Sequence, residues 1–191
     1  MANAADILNP SAPPDKSRKY ALPERERRFL LACLPDNPVI VRTARITDHY
    51  LLGTRLRVRH TVEAADGSTR VVYKFTQKVP APDGSPGLIT TVYLDQAEYD
   101  ALTTLPARQL RKTRYSIPPF GIDVFDPPLH GLTMAEIEFP SEAAFHAFAP
   151  PSFAVAEVTN DIRFTGGRLV TTTRDALLQA LADFEIYPVE R

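Results

Sequence analysis

The sequence predicts a β-rich α+β domain whose strands close into an antiparallel barrel. Three observations lead there. Short segments rich in β-branched and aromatic residues follow one another closely, separated by turn residues. Eighteen prolines suit loops and strand ends and would be out of place in long helices or central strands. Charged residues recur two apart in segment after segment, with apolar residues between them.

Taken in order, residues 1–19 contain Pro10, Ser11, Pro13 and Pro14 and no apolar core. They read as a disordered tail ahead of one domain over 20–191. Residues 22–34 open the ordered part, and Pro35-Asp36-Asn37-Pro38 is a turn. Strands are expected at 39–47 and 50–62, the second with Leu56, Val58 and Val62 opposite Arg55, Arg57 and Arg59. Asp66-Gly67 marks a hairpin leading to a strand at 69–78, and 80–87 is a Pro/Gly/Ser loop. A strand at 88–94 precedes a short helix over 95–105, with Asp95 as its N-cap. Further strands are expected at 112–118, 121–125, 132–139 and 154–164. Ser141 starts a helix that Pro150-Pro151 stops, Gly166-Gly167 is a turn, and 173–184 is a final helix.

Composition removes several function classes. Twenty-two basic against twenty-three acidic residues, a net charge of -1, exclude a duplex-coating basic surface. One cysteine, Cys33, excludes an intramolecular disulfide and a cysteine-rich zinc site, and following Phe29-Leu30-Leu31-Ala32 it reads as a small buried hydrophobe. No apolar run approaches the roughly 18 residues of a membrane helix. The expectation is a cytoplasmic protein without nucleic-acid or membrane partners, its oligomeric state undetermined. No Gly-rich phosphate loop follows a strand, which argues against a nucleotide-binding α/β sheet. His49, His60, His130 and His146 show no metal-ligand spacing.

The charge rows carry the chemistry. Glu24 and Glu26 form an acidic pair continued by Arg28, and Glu136 and Glu138 form a second. Arg55, Arg57 and Arg59 form a basic row, Lys74 and Lys78 share a face, and so do Lys112 and Arg114. A single charged doublet on a strand is ordinarily a solvated face. Recurrence over several strands, each with an apolar opposite side, points instead to one interior lined by all of them. Empty, such an interior would be costly, because like charges repel where water is scarce. Filled by a polyanion on the basic rows and hard cations on the carboxylates, it is balanced; all-carboxylate donors suit Mg²⁺ or Mn²⁺. Guanidinium forks match phosphate oxygens.

Glu24-Arg25-Glu26-Arg27-Arg28 resembles the opening Glu-x-Glu-x-Lys signature of the CYTH superfamily, the triphosphate tunnel metalloenzymes. Later segments agree in order over about residues 20–180: Thr54 to Arg59, Lys74 to Lys78, Lys112 to Tyr115, Ile122 to Phe125, Ala135 to Phe139, and Glu157-Val158-Thr159 with Asp161. The resemblance implies an eight-stranded closed antiparallel tunnel with flanking helices that hydrolyses or cyclises triphosphates with Mg²⁺ or Mn²⁺. It implies Glu24, Glu26 and Glu138 as ligands of a first metal, and Glu136 and Asp161 at a second. Arg57, Arg59, Lys78, Lys112 and Arg114 match the phosphate clamp, which the basic rows extend to Arg55 and Lys74. Arg28, at the signature's lysine, Tyr50 and Lys112 are the catalytic candidates, and Asp123 is placed to position Lys112 or Arg114 or to form a structural ion pair. Two departures stand out: Arg28 replaces a lysine, and 88–94 lacks the glutamate that strand usually supplies. The expected function is a metal-dependent triphosphatase acting on tripolyphosphate or another small triphosphate. A non-catalytic polyphosphate-binding module and a class IV-type adenylyl cyclase are the alternatives.

Overall fold

A computed structural model gives the structure of residues 20–79 and 87–188. The expected tail over 1–19 and nearly all of the expected loop over 80–87 lie outside the described residues. The chain runs through β1 (Leu22–Pro23), β2 (Glu26–Leu31), β3 (Arg42–Leu51), β4 (Leu56–Ala65), β5 (Ser68–Val79) and β6 (Leu88–Leu94). Helix α1 (Gln96–Thr103) leads to β7 (Ala107–Ile117), β8 (Phe120–Phe125) and β9 (Thr133–Glu138). Then come α2 (Glu142–Ala147), β10 (Ala156–Glu157), a 3-10 turn (Ile162–Phe164), α3 (Gly166–Leu169) and α4 (Arg174–Ala182).

Among the described residues all strands join one ten-stranded sheet in the order β1-β6-β5-β4-β3-β7-β8-β9-β2-β10, every pairing antiparallel. The expected closed eight-stranded barrel is therefore corrected to an open sheet: β1 pairs only with β6 at one end, and β10 only with β2 at the other. One short stretch of chain serves both ends. Leu22 and Pro23 pair with β6, and from Glu26 onward the chain pairs with β9. Among the described residues no ladder crosses that seam. Between them the Glu24 amide donates to the Gly87 carbonyl at 2.8 Å, and Pro23 has no amide hydrogen to extend the ladder.

Local chemistry explains most element boundaries. Asp66 and Gly67, at φ of 48° and 73°, make the two-residue turn between β4 and β5. Asp95 caps α1, accepting from the Glu98 amide while the Glu98 side chain accepts from the Asp95 amide. Ser141 caps α2 and Thr173 caps α4.

Other boundaries differ from expectation. β3 continues unbroken through Asp48 and His49, and the turn falls beyond Leu51, where Gly53 has a φ of 71°. β7 starts at Ala107, because β3 offers partners along its whole length, down to Leu51↔Ala107. The strand expected over 154–164 shrinks to Ala156–Glu157 before a 3-10 turn, and the Gly166-Gly167 turn is the start of α3. Cys33 is exposed, not buried, since it lies in the bend after β2 has ended.

Two apolar clusters cover the two faces of the sheet. Phe29, Leu31, Ile122, Ala135 and Ile137 pack with Phe139 and Phe148 on the outer face, under α2. The expected arrangement, apolar residues outward and charges inward, holds here. At one end of the inner face it does not. Leu30, Leu110, Phe125 and Met134 share a face with the charged residues and pack with Leu169, Leu177 and Leu181 of α3 and α4. The C-terminal helices thus seal one end of the charged face. No helix among the described residues is long and apolar enough to cross a membrane.

Candidate functional site

The strand register sets the site. Paired residues in antiparallel strands point to the same side, and alternation carries that side along each strand. Asp48 opposes Arg59, and Tyr50 opposes Arg57. Ile46 opposes Lys112, Arg114 opposes Asp123, Gly121 opposes Glu136, and Arg28 opposes Glu136. One sheet face therefore carries Glu26, Arg28, Asp48, Tyr50, Arg57, Arg59, Lys112, Arg114, Asp123 and Glu136.

Ion pairs knit these residues together. Asp48, 1% exposed, receives the Arg59 guanidinium through two hydrogen bonds of 2.6 and 2.7 Å, and Arg57 lies 3.5 Å away. Burial pushes the Asp48 carboxyl up, but Arg59 and Arg57 outweigh it and hold it well below the usual carboxylate range. Asp123, 0% exposed, takes two hydrogen bonds of 2.7 Å from Arg114 and pairs with Lys112. Arg114 also pairs with Glu136. Burial raises Glu136, and Lys112 and Arg114 more than reverse this, so it stays ionised well below its ordinary value. Glu26 moves the other way. Burial, Glu136 and Glu24 push its carboxyl up to about 7 against the pull of Lys78 and Arg28. Glu24, Glu26 and Glu136 thus gather at one corner, where Lys78 pairs with Glu24.

The expected site residues divide accordingly. Glu24, Glu26, Arg28, Tyr50, Arg57, Arg59, Lys78, Lys112, Arg114 and Glu136 meet in one electrostatic cluster. Glu138 faces Glu26 across the β2–β9 ladder but is exposed. Arg55 is exposed just before β4 begins. Lys74 opposes Arg59, and its ammonium lies 5.0 Å from the centre of the Tyr93 ring, further from the acids. Asp161 caps the 3-10 turn and is gripped by Arg163 at 2.7 Å.

Arg28 spends its donors on main chain: on the Phe164 carbonyl at 2.9 Å and the Thr159 carbonyl at 2.5 Å, with its Nε 3.7 Å from Glu26. Asp123 lies between Lys112 and Arg114, as its position in the sequence suggested. Asp48 is the buried acid of this cluster that sequence reasoning missed. Its one signal was its place two residues before Tyr50, hidden by the break expected between strands.

A metal would need oxygen donors here. No group of three or more His, Cys, Asp or Glu side chains close enough to hold one gathers among the described residues. The donor chemistry still fits a hard divalent cation: only carboxylates are on offer, and Glu136 and Glu24 lie close enough to Glu26 to add to burial in raising its carboxyl.

A concave, charge-lined antiparallel sheet sealed at one end by helices is a class of architecture shared with known proteins. No family model matches the chain. It is 30% identical over 158 residues to the inorganic triphosphatase of Nitrosomonas europaea, covering 74% of this chain and 92% of that protein. The crystal structure of the inorganic triphosphatase NE1496 superposes with a TM-score of 0.51 at 26% identity, over 79% of this chain and 96% of that one. A structure of hypothetical protein NE1496 gives the same TM-score of 0.51 at 27% identity, over 78% of this chain and 99% of that one. The chain belongs to the CYTH superfamily, the triphosphate tunnel metalloenzymes.

Proposed function

We propose that this protein is a metal-dependent triphosphatase that hydrolyses inorganic tripolyphosphate or a closely related small triphosphate. The observation that carries this reading is the convergence on one sheet face of paired arginines and lysines beside a carboxylate-rich corner. The name and 30% identity of the Nitrosomonas europaea relative support it.

Arg57, Arg59, Lys112 and Arg114 bind the phosphate oxygens. Asp48 and Asp123 hold these cations in place before substrate arrives, so little reorganisation is needed as charge develops in the transition state. Glu24, Glu26, Glu136 and Glu138 would hold Mg²⁺ or Mn²⁺. When bound, that cation supplies Lewis-acid neutralisation of phosphate oxygens. Asp161, held by Arg163, contributes to the shape of the neighbouring turn. Arg28 ties β2 to the carbonyls of Thr159 and Phe164, which orients the acidic corner.

Phosphate release from tripolyphosphate under Mg²⁺ or Mn²⁺ tests the proposal. Activity is expected in the parent and lost in the Glu24→Gln/Glu26→Gln double variant; equal release by both would sink it. A second reading, polyphosphate binding without turnover, draws on β6, whose Leu88 to Leu94 bring no acid to the site. Calorimetric tripolyphosphate binding with no phosphate release would favour that reading.

A further inference from the structure

A cavity of about 640 Å³ opens on the same sheet face, along β3, β4, β5 and β6 and away from the acidic corner. Arg59 and Arg114 line it and also belong to the ion-pair cluster, so the two spaces adjoin. Its far part is built from Arg42, Glu63, Arg70, Lys74 and Tyr93, four of which have no role so far.

Glu63 sits between two guanidinium groups, 3.6 Å from Arg42 and 2.6 Å from Arg70. A carboxylate held this way occupies a position an anion could take. The Lys74 ammonium rests over the Tyr93 ring, and no carboxylate pairs with it among the described residues. Lys78, Lys74 and Arg70 lie on one side of β5, a track of about 26 Å at roughly 3.3 Å per residue. Three linked phosphates are much shorter than that. The acids of the site cluster at the Lys78 end, and cations predominate toward Arg70.

We propose that this distal cavity is a second anion subsite, which takes the trailing phosphates of linear inorganic polyphosphate longer than three units. The identity of the reacting end rests on the triphosphatase reading. A nucleoside is a poorer occupant: the far wall presents guanidinium groups, and the Tyr93 face is already covered by Lys74. Entering phosphates displace Glu63 from Arg42 and Arg70, so Glu63 sets the cost of occupancy.

Calorimetry on the full chain in EDTA, which prevents metal-dependent turnover, tests this. The probes are tripolyphosphate, a longer linear polyphosphate of defined length, and ATP. The longer chain is expected to bind the parent at least about tenfold more tightly than tripolyphosphate. An Arg42→Ser/Arg70→Ser double variant should lose that advantage while binding tripolyphosphate as the parent does, and Glu63→Gln should enlarge it. Equal affinity for both lengths in the parent, an unchanged advantage in the double variant, or the same gain with ATP would overturn the subsite. If the length effect is present but tripolyphosphate is never hydrolysed, the subsite stands and the triphosphatase reading fails.

Discussion

Asp48 governs the basic side of the site. Fully buried and paired with Arg57 and Arg59, it fixes the direction in which both guanidinium groups point. Replacing it with asparagine keeps the shape but leaves two buried cations without their counter-charge, which costs about 3 kcal/mol. Asp48→Asn is thus expected to lower the melting temperature and to reduce kcat/KM for tripolyphosphate by at least about tenfold, since 1.4 kcal/mol of lost transition-state stabilisation suffices. Calorimetry and a phosphate-release assay check both. Glu26 predicts a pH effect of the opposite kind. Its folded value near 7 lies above the ordinary 4.5, so the folded state keeps a proton that the unfolded chain releases. Its contribution is fully present below pH 4.5 and is lost as pH rises through 7. In EDTA, Glu26→Gln is expected to melt higher than the parent at pH 8, by a shift reflecting about 1–3 kcal/mol, with the gap closing at pH 5. For Asp48 and Glu136, held below their ordinary values, the sign reverses: their contribution is present above those values and disappears in acid.

At the scale of elements, β2 is the hinge of the architecture. Its outward residue Arg27 is 8% exposed and ties three elements together. It donates to Glu157 of β10 at 2.8 and 2.6 Å and to the Phe148 carbonyl after α2 at 2.5 Å, and its guanidinium lies near the Phe29, Phe145 and Phe148 rings. Arg27→Met retains the apolar stem but takes the counter-charge from Glu157, which keeps only the Thr159 hydroxyl at 2.7 Å, and removes the guanidinium donor from that carbonyl. A loss of about 2 kcal/mol in unfolding free energy is expected by urea titration. Because Arg27 points away from the charged face, KM for tripolyphosphate should stay unchanged. On the other face of β2, Arg28 grips the segment that leads into α3, whose first residue packs on Tyr50. A Cβ at Gly166 would lie 2.1 Å from the Tyr50 hydroxyl. Gly166→Ala is expected to displace the Tyr50 ring and to cost about 1–3 kcal/mol by overpacking, read as a lower melting temperature.

Across the whole molecule, cations and acids are drawn from strands far apart in the chain and held on one face in ion pairs. A ligand that binds only the folded state stabilises it, by about 2.7 kcal/mol at a hundredfold excess over Kd. Tripolyphosphate is expected to raise the melting temperature of the parent and to do so much less for an Arg57→Gln/Arg59→Gln variant, as scanning calorimetry would show. The sequence alone determined the alternation of charge and apolar residue, the Asp66-Gly67 turn, the cap at Asp95, the helix starts at Ser141 and Thr173, and the candidate residues at Glu24, Glu26, Arg57 and Lys112. Each depends on spacings of a few residues, where backbone geometry dictates the outcome. Only the tertiary structure decided that β3 lies between β4 and β7, that β7 reaches back to Ala107, and that Asp48 neutralises Arg57 and Arg59. It also decided that the sheet stays open at β1 and β10 and that α3 and α4 seal one end of the inner face. Those outcomes depend on which ladders form between residues distant in sequence, and a strand carries no local mark of its neighbour.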